Sequence, residues 1–214
     1  MRMRIASLLT FTSILTAAAI SAAPVAVQFG KRTVTASGLS PGAQVLVFGV
    51  VKIPLIYYSR LQRSESVVAA TRDGIATVQT DFDIPITSVW VVADLRTGQV
   101  TTATSRSRGV RTVAIGRSAI RGNSDRFSFD RSFLDLLYVH PGEGAWVWHA
   151  VDGAQGDEDG PNGVTTIDIS KGAHLLGAAP PKVFSPGGTL VAVDFEDLAV
   201  LTTDVQALLP GAQR

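Results

Sequence analysis

Between residues 25 and 104 the sequence breaks into short runs of Val, Thr, Ile and aromatic residues, each closed by turn-forming residues. The runs are Val25–Phe29, Arg32–Ala36, Ala43–Lys52, Ser66–Thr71, Ile75–Thr80, Ser88–Asp94 and Gln99–Thr104. Regular short runs of this kind favour an all-β sandwich or barrel, because β-branched side chains suit a pleated surface and the Gly, Pro, Asn and Asp between them suit tight turns. The punctuation has a mechanism: Ser40-Pro41-Gly42 supplies a preset φ followed by a residue tolerant of positive φ, and Asp73-Gly74 and Arg96-Thr97-Gly98 each close a hairpin. Val89, Val91 and Ala93 alternate with Ser88, Trp90, Val92 and Asp94, giving one wholly apolar face and one mixed face, as expected of a central strand. Pro54 and Pro85 belong at an edge or in a connection, since neither can donate to a ladder.

The stretch Ser37-Gly38-Leu39-Ser40-Pro41-Gly42-Ala43, followed by Val45-Leu46-Val47, Asp73-Gly74 and the later Val89–Asp94 and Thr97-Gly98 hairpin, resembles bacterial extracytoplasmic immunoglobulin-like domains over roughly residues 24–105. The chain has no Cys, so it departs from the antibody pattern of an inter-sheet disulfide against a buried Trp. What the resemblance implies is a β-sandwich of the kind used as a spacer, adhesion unit or binding module. It names no ligand.

Ahead of that region, Met1-Arg2-Met3-Arg4 carries two positive charges, and residues 5–23 contain none before ending in Ser21-Ala22-Ala23. A basic end, an apolar stretch and a small-residue close is the order of a secretory signal peptide, assigned to residues 1–23; the competing reading is an uncleaved anchor, weakened by the Ser, Thr and Ala content of residues 5–23. The expected location is therefore outside the cytoplasm, whether periplasmic, cell-surface or secreted, with no membrane span after cleavage. The absence of Cys removes thiolate metal sites, Cys nucleophiles and disulfides from consideration. With 46% hydrophobic and 17% charged residues, the chain is too apolar to be disordered.

Charge divides the remainder. Residues 24–131 carry 14 Lys/Arg against 7 Asp/Glu, whereas residues 132–210 carry 2 against 11. The sequence therefore divides into an immunoglobulin-like sandwich at 24–105, an Arg-rich connection at 106–131 and an acidic β-rich domain at 132–214, with one short helix expected near Phe127–Leu136 or Asp204–Leu209. The arginines are spread out with little aromatic interleaving, so nucleic acid is not the expected partner. A protein or glycan ligand is. Within the first unit, Ile53–Arg60 departs from the strand-turn rhythm, and Tyr57 and Tyr58, beside Arg60 and Arg63, either stack on such a ligand or pack between strands.

In the acidic half, Leu134–His140, Pro141-Gly142-Glu143-Gly144 and Ala145–Val151 read as a β-hairpin. A four-residue turn pairs His140 with Ala145, Tyr138 with Val147 and Leu136 with His149. Both histidines then share one face, about 10–14 Å apart at about 3.3 Å per residue, too far to hold one metal. Next comes Asp152-Gly153-Ala154-Gln155-Gly156-Asp157-Glu158-Asp159-Gly160-Pro161-Asn162-Gly163. Carboxylates and an amide on a Gly-rich loop are the hard oxygen donors that Ca²⁺ requires, with Asp157 and Asp159 as first ligands and Asp152 and Asn162 behind them. The loop departs from an EF-hand, which needs a third Asp/Asn before the Gly and a later Glu where this chain has Thr166. A polar turn built on Gly and Asn is the other reading of the same residues.

Asp194 and Glu196 share a side of an extended segment, and paired carboxylates are the equipment of glycoside hydrolysis. The motif signatures of serine hydrolases, zincins, P-loops and dinucleotide-binding folds are missing from the sequence. The expected function is an exported, non-enzymatic binding or structural β-sandwich protein stabilised by Ca²⁺. Its rival is a secreted glycan-active hydrolase using carboxylates of the C-terminal half.

Overall fold

The computed structural model describes residues 24–54, 59–105, 111–112, 120–123, 126–129, 134–149, 165–168, 174–176, 184–194 and 199–205. They are strands and turns in four sheets. β1 (Ala26–Phe29), β2 (Thr33–Ser37) and β5 (Ile75–Gln79) form an antiparallel sheet in the order β1-β2-β5. β3 (Gln44–Pro54), β4 (Ser59–Ala69), β6 (Ser88–Asp94) and β7 (Gln99–Thr104) form a second, in the order β4-β3-β6-β7. Six strands make the third: β8 (Arg111–Thr112), β11 (Leu134–His140), β12 (Gly144–His149), β14 (His174–Leu176), β15 (Thr189–Asp194) and β16 (Ala199–Asp204), ordered β14-β12-β11-β15-β16-β8, with β16 and β8 parallel. β9 (Ile120–Asn123), β10 (Arg126–Phe129) and β13 (Thr165–Asp168) form a small fourth sheet. Where a short helix was expected, residues 126–129 and 134–136 are strand, in keeping with the Phe-Ser-Phe alternation at 127–129.

The second sheet is covered on both sides. Leu46, Phe48 and Val50 of β3 and Val89, Val91 and Ala93 of β6 pack in one cluster with Leu137, Val139, Ala145, Val147, Val191 and Val193 of the third sheet. The opposite faces of the same two strands, Val45, Val47, Val51, Trp90 and Val92, pack against Val34, Ala36, Ala76 and Val78 of the first sheet. All seven residues of β6 are buried as a result. The mixed face of β6 is tolerated because its polar groups are bonded: Ser88 Oγ accepts from Trp90 Nε1 at 3.0 Å and lies 2.8 Å from Ser105 Oγ, while Asp94 accepts three backbone amides.

Two glycines make room for large rings. Gly49 is the register partner of Trp90, and a Cβ there would fall 2.3–2.6 Å from the indole. Gly188 does the same for Tyr138, whose Cε2 would be 2.3 Å away. Both rings are fully buried, so neither has space to retreat.

The seven strands expected between residues 25 and 104 are present, with one change of extent. β4 begins at Ser59 rather than Ser66, so β3 and β4 form a hairpin of eleven register pairs from Gln44↔Ala69 to Pro54↔Ser59. β6 accompanies β3 only from Val45 to Val51, and the rest is held at its base by Lys52 and Thr87, which exchange two hydrogen bonds of 3.0 and 2.6 Å. Tyr57 and Tyr58 lie outside the described residues, between the ends of this hairpin.

Gly49→Ala forces a methyl group into the Trp90 ring and is expected to lower stability by about 1–3 kcal/mol, the usual cost of overpacking a filled core. Urea denaturation followed by Trp fluorescence measures it. The control is Ile86→Ser at a site 72% exposed, expected to change stability by less than about 0.5 kcal/mol.

Candidate functional site

The inward positions of β4 do not carry only apolar residues. Arg63 and Glu65 are followed by Val67 at the same alternation, and Val67 packs on the cluster shared with the third sheet. Facing them, Asp135 of β11 and His149 of β12 are register partners. Arg63 grips Asp135 bidentately, Nε donating to Oδ2 at 2.7 Å and Nη2 to Oδ1 at 3.1 Å. His149 stands between two carboxylates, Nδ1 3.2 Å from Asp135 Oδ1 and Nε2 3.5 Å from Glu65 Oε2. Its ring is stacked on Phe48 with centroids 6.2 Å apart. Asp135 has no solvent exposure, and the other three side chains are between 18 and 24% exposed.

With His149 protonated this quartet is formally neutral. Burial opposes the charge on the imidazole, but Asp135 and Glu65 outweigh it against the repulsion of Arg63, and the pKa of His149 is pushed up to about 9. At neutral pH both ring nitrogens carry protons. The imidazole is then a cation between two carboxylates, with no lone pair for proton abstraction.

The hairpin that carries His149 differs in register from the expected one. His140 pairs with Gly144, Val139 with Ala145, Tyr138 with Trp146 and Asp135 with His149. The turn has three residues rather than four: Glu143 N donates to His140 O at 3.2 Å, Pro141 occupies the second turn position and Gly142 the third with φ +75°. Gly144, at φ +135°, thereby joins the strand. A one-residue change moves side chains to the other face. His149 now faces the second sheet, while His140 is on the opposite face with Tyr138. The two histidines remain unable to share a metal, for the reason that they lie on different faces. His140 Nδ1 is 3.5 Å from Glu143 Oε1, and its Nε2 is 3.3 Å from Pro186 O.

The remaining expected site residues divide simply. Asp152, Asp157, Asp159 and Asn162 lie outside the described residues, as do Tyr57, Tyr58 and Glu196. Asp194 is buried at the end of β15, opposite Leu134 and Ala199 in register. Among the described residues, no group of three or more His, Asp and Glu is arranged to hold a metal ion. Arg63, Glu65 and Asp135 were not anticipated as a site. The signal for the first two was the charged alternation Arg63-x-Glu65-x-Val67, which reads as solvated unless a charged face opposite is known.

Beyond Val67, at the turns that end the second and third sheets, lies an open pocket of about 580 Å³. Ala43, Gln44, Val67 and Leu95 line it from the second sheet and its turns, and the Gly142–Gly144 turn from the third. Asp94 organises the approach. Its carboxylate accepts from Ser40 N at 2.7 Å, Arg96 N at 2.9 Å and Thr97 N at 3.2 Å, so one side chain ties two turns together. Burial pushes its pKa up, yet the amides from Ser40, Thr97 and Arg96 prevail and hold it below the usual 3.8. The turn of the third sheet is tied in as well, Gly142 N donating to Leu95 O at 2.9 Å.

No protein-family model, curated protein or solved structure matches this chain.

Two pH dependences follow, with opposite signs. The folded pKa of His149 lies above its ordinary 6.5, so its contribution is full below about pH 6.5 and is lost as pH rises through about 9. The denaturation midpoint should fall over that interval, and His149→Gln should flatten the slope. Asp94 is depressed, so its contribution holds above the ordinary carboxylate value and disappears as pH falls through its folded pKa. Acid unfolding of Asp94→Asn should show a smaller loss over that range than the parent chain. Arg63→Met leaves Asp135 buried without its guanidinium and is expected to cost about 3–5 kcal/mol, measured by urea denaturation at pH 7.

Proposed function

We propose that this chain is an exported, non-enzymatic binding or structural module. The observation that carries this reading is the geometry of the inter-sheet quartet, in which Arg63, Glu65, Asp135 and His149 are spent on one another. A carboxylate clamped by an arginine, with an imidazole between it and a second carboxylate, braces two sheets against each other and leaves no member of the quartet free for a substrate. Residues 26–104 support an immunoglobulin-like sandwich in their strand orders, with the first, second and fifth strands in one sheet and the fourth, third, sixth and seventh in the other, joined by a common core. Residues 1–23 act as the export signal in this reading.

Calcium bracing at Asp157, Asp159, Asp152 and Asn162 belongs to the same proposal, resting on the oxygen-rich composition of that loop. Thermal unfolding in excess Ca²⁺ and in chelator tests it. A site filled at about 100 times its dissociation constant adds roughly 2.7 kcal/mol, a shift of several degrees in a chain of this length. The shift should vanish in Asp157→Ala/Asp159→Ala. Equal midpoints in Ca²⁺ and chelator reduce the loop to a turn. Release of reducing ends from a glycan panel, abolished by Asp194→Ala/Glu196→Ala, overturns the non-enzymatic reading itself.

A further inference from the structure

We propose that the cavity between the second and third sheets is a binding site for a small amphiphilic carboxylate, its apolar body seated between the sheets and its anionic head on Arg96. This deepens the binding-module reading and rests on it. At about 580 Å³ the pocket falls in the range of small-molecule sites, and it opens to solvent beside the edge of the inter-sheet core, where Val67 packs on that core. Its floor is apolar, supplied by Ala43, Val67 and Leu95. Such a floor accepts a hydrocarbon body and gives nothing to a polar one.

Arg96 at its wall is solvent-exposed, and among the described residues no carboxylate neutralises it. Asp94 fixes the backbone of Arg96, and Nη1 of the same residue donates to Pro41 O at 2.9 Å, which orients the guanidinium. No carboxylate among the described residues lies within ion-pairing distance of it. Asp94 spends its oxygens on three amides, and Glu143, across the cavity on the other turn, is turned towards His140 at 3.5 Å. A guanidinium with donors left over, on the wall of an apolar cavity, is complementary to a ligand that joins a hydrocarbon body to a carboxylate. Gly142 leaves the opposite wall open, since a Cβ there would meet nothing within 4 Å.

Octanoate and octan-1-ol are the probes, titrated into the ¹⁵N-labelled protein and followed by amide chemical shifts. Octanoate should give saturable shifts confined to Gln44, Leu95, Arg96, Gly142, Glu143 and Gly144, and should bind about tenfold more tightly than the alcohol, a difference of about 1.4 kcal/mol. Arg96→Gln should remove that preference while leaving alcohol binding in place. Val67→Phe should fill the pocket and weaken both ligands about tenfold, with resonance changes in the free protein confined to residues around position 67. The proposal is overturned if octanoate produces no saturable shifts at these residues, or if Arg96→Gln leaves the preference intact. Neither result bears on the non-enzymatic reading, which the glycan assay tests separately.

Discussion

A strand covered on both faces has no solvent side on which to place polar groups, and β6 meets that condition from Ser88 to Asp94. Its neighbour β3 shares it through Val45–Val51. The rest of the described structure answers to this pair: the first sheet covers Trp90 and Val92, the third covers Val89, Val91 and Ala93, and each polar group at the strand ends is bonded. Gly49 is part of the same constraint, because an indole lying over the ladder leaves no volume for a side chain on its partner. Apolar burial on two faces is the dominant favourable term here, as in any packed β layer.

The second sheet is less protected towards β4, and there the inter-sheet contact changes from apolar to ionic. Arg63 and Glu65 meet Asp135 and His149 where a continuation of the Leu-Val core would otherwise stand. Replacing such a network by hydrocarbon is often neutral in stability, so its contribution lies in pairing one register with one partner face. A one-residue slip of β12 would turn His149 away from both carboxylates. Further along, past Val67, the interface ends in an open pocket between turns tied by Asp94 and Gly142. Along β4 the interface thus runs from the ion lock at Arg63 and Glu65, through Val67 on the core, to the pocket at the turns.

The first seven strands were legible because each local cue agreed with the next: alternation in β6, Pro-Gly and Asp-Gly turns, and Thr-Val-rich runs of strand length. The double burial of β6 was half legible, since a mixed face can be solvated or covered and only its neighbours decide. Two features were not legible for a stated reason. The register of β11 and β12 turned on whether Gly144 belongs to the turn or the strand, a choice made by backbone geometry that its identity alone leaves open. The beginning of β4 was missed because Arg63 and Glu65 look like solvated residues until Asp135 and His149 are placed opposite them. The cavity has no sequence signature, being a gap defined by four separated segments.

A core shared by the doubly covered sheet and the third sheet requires the two to unfold as one cooperative unit. Native-state hydrogen exchange tests it most directly, because it assigns an opening free energy to each amide. The slowest amides of β3 and β6 and those of β11 and β15 should exchange with a common opening free energy, equal to that of global unfolding. If β11 and β15 instead exchange through an opening of clearly lower free energy while β3 and β6 stay protected, the third sheet is a separable unit and the account of a shared core is wrong.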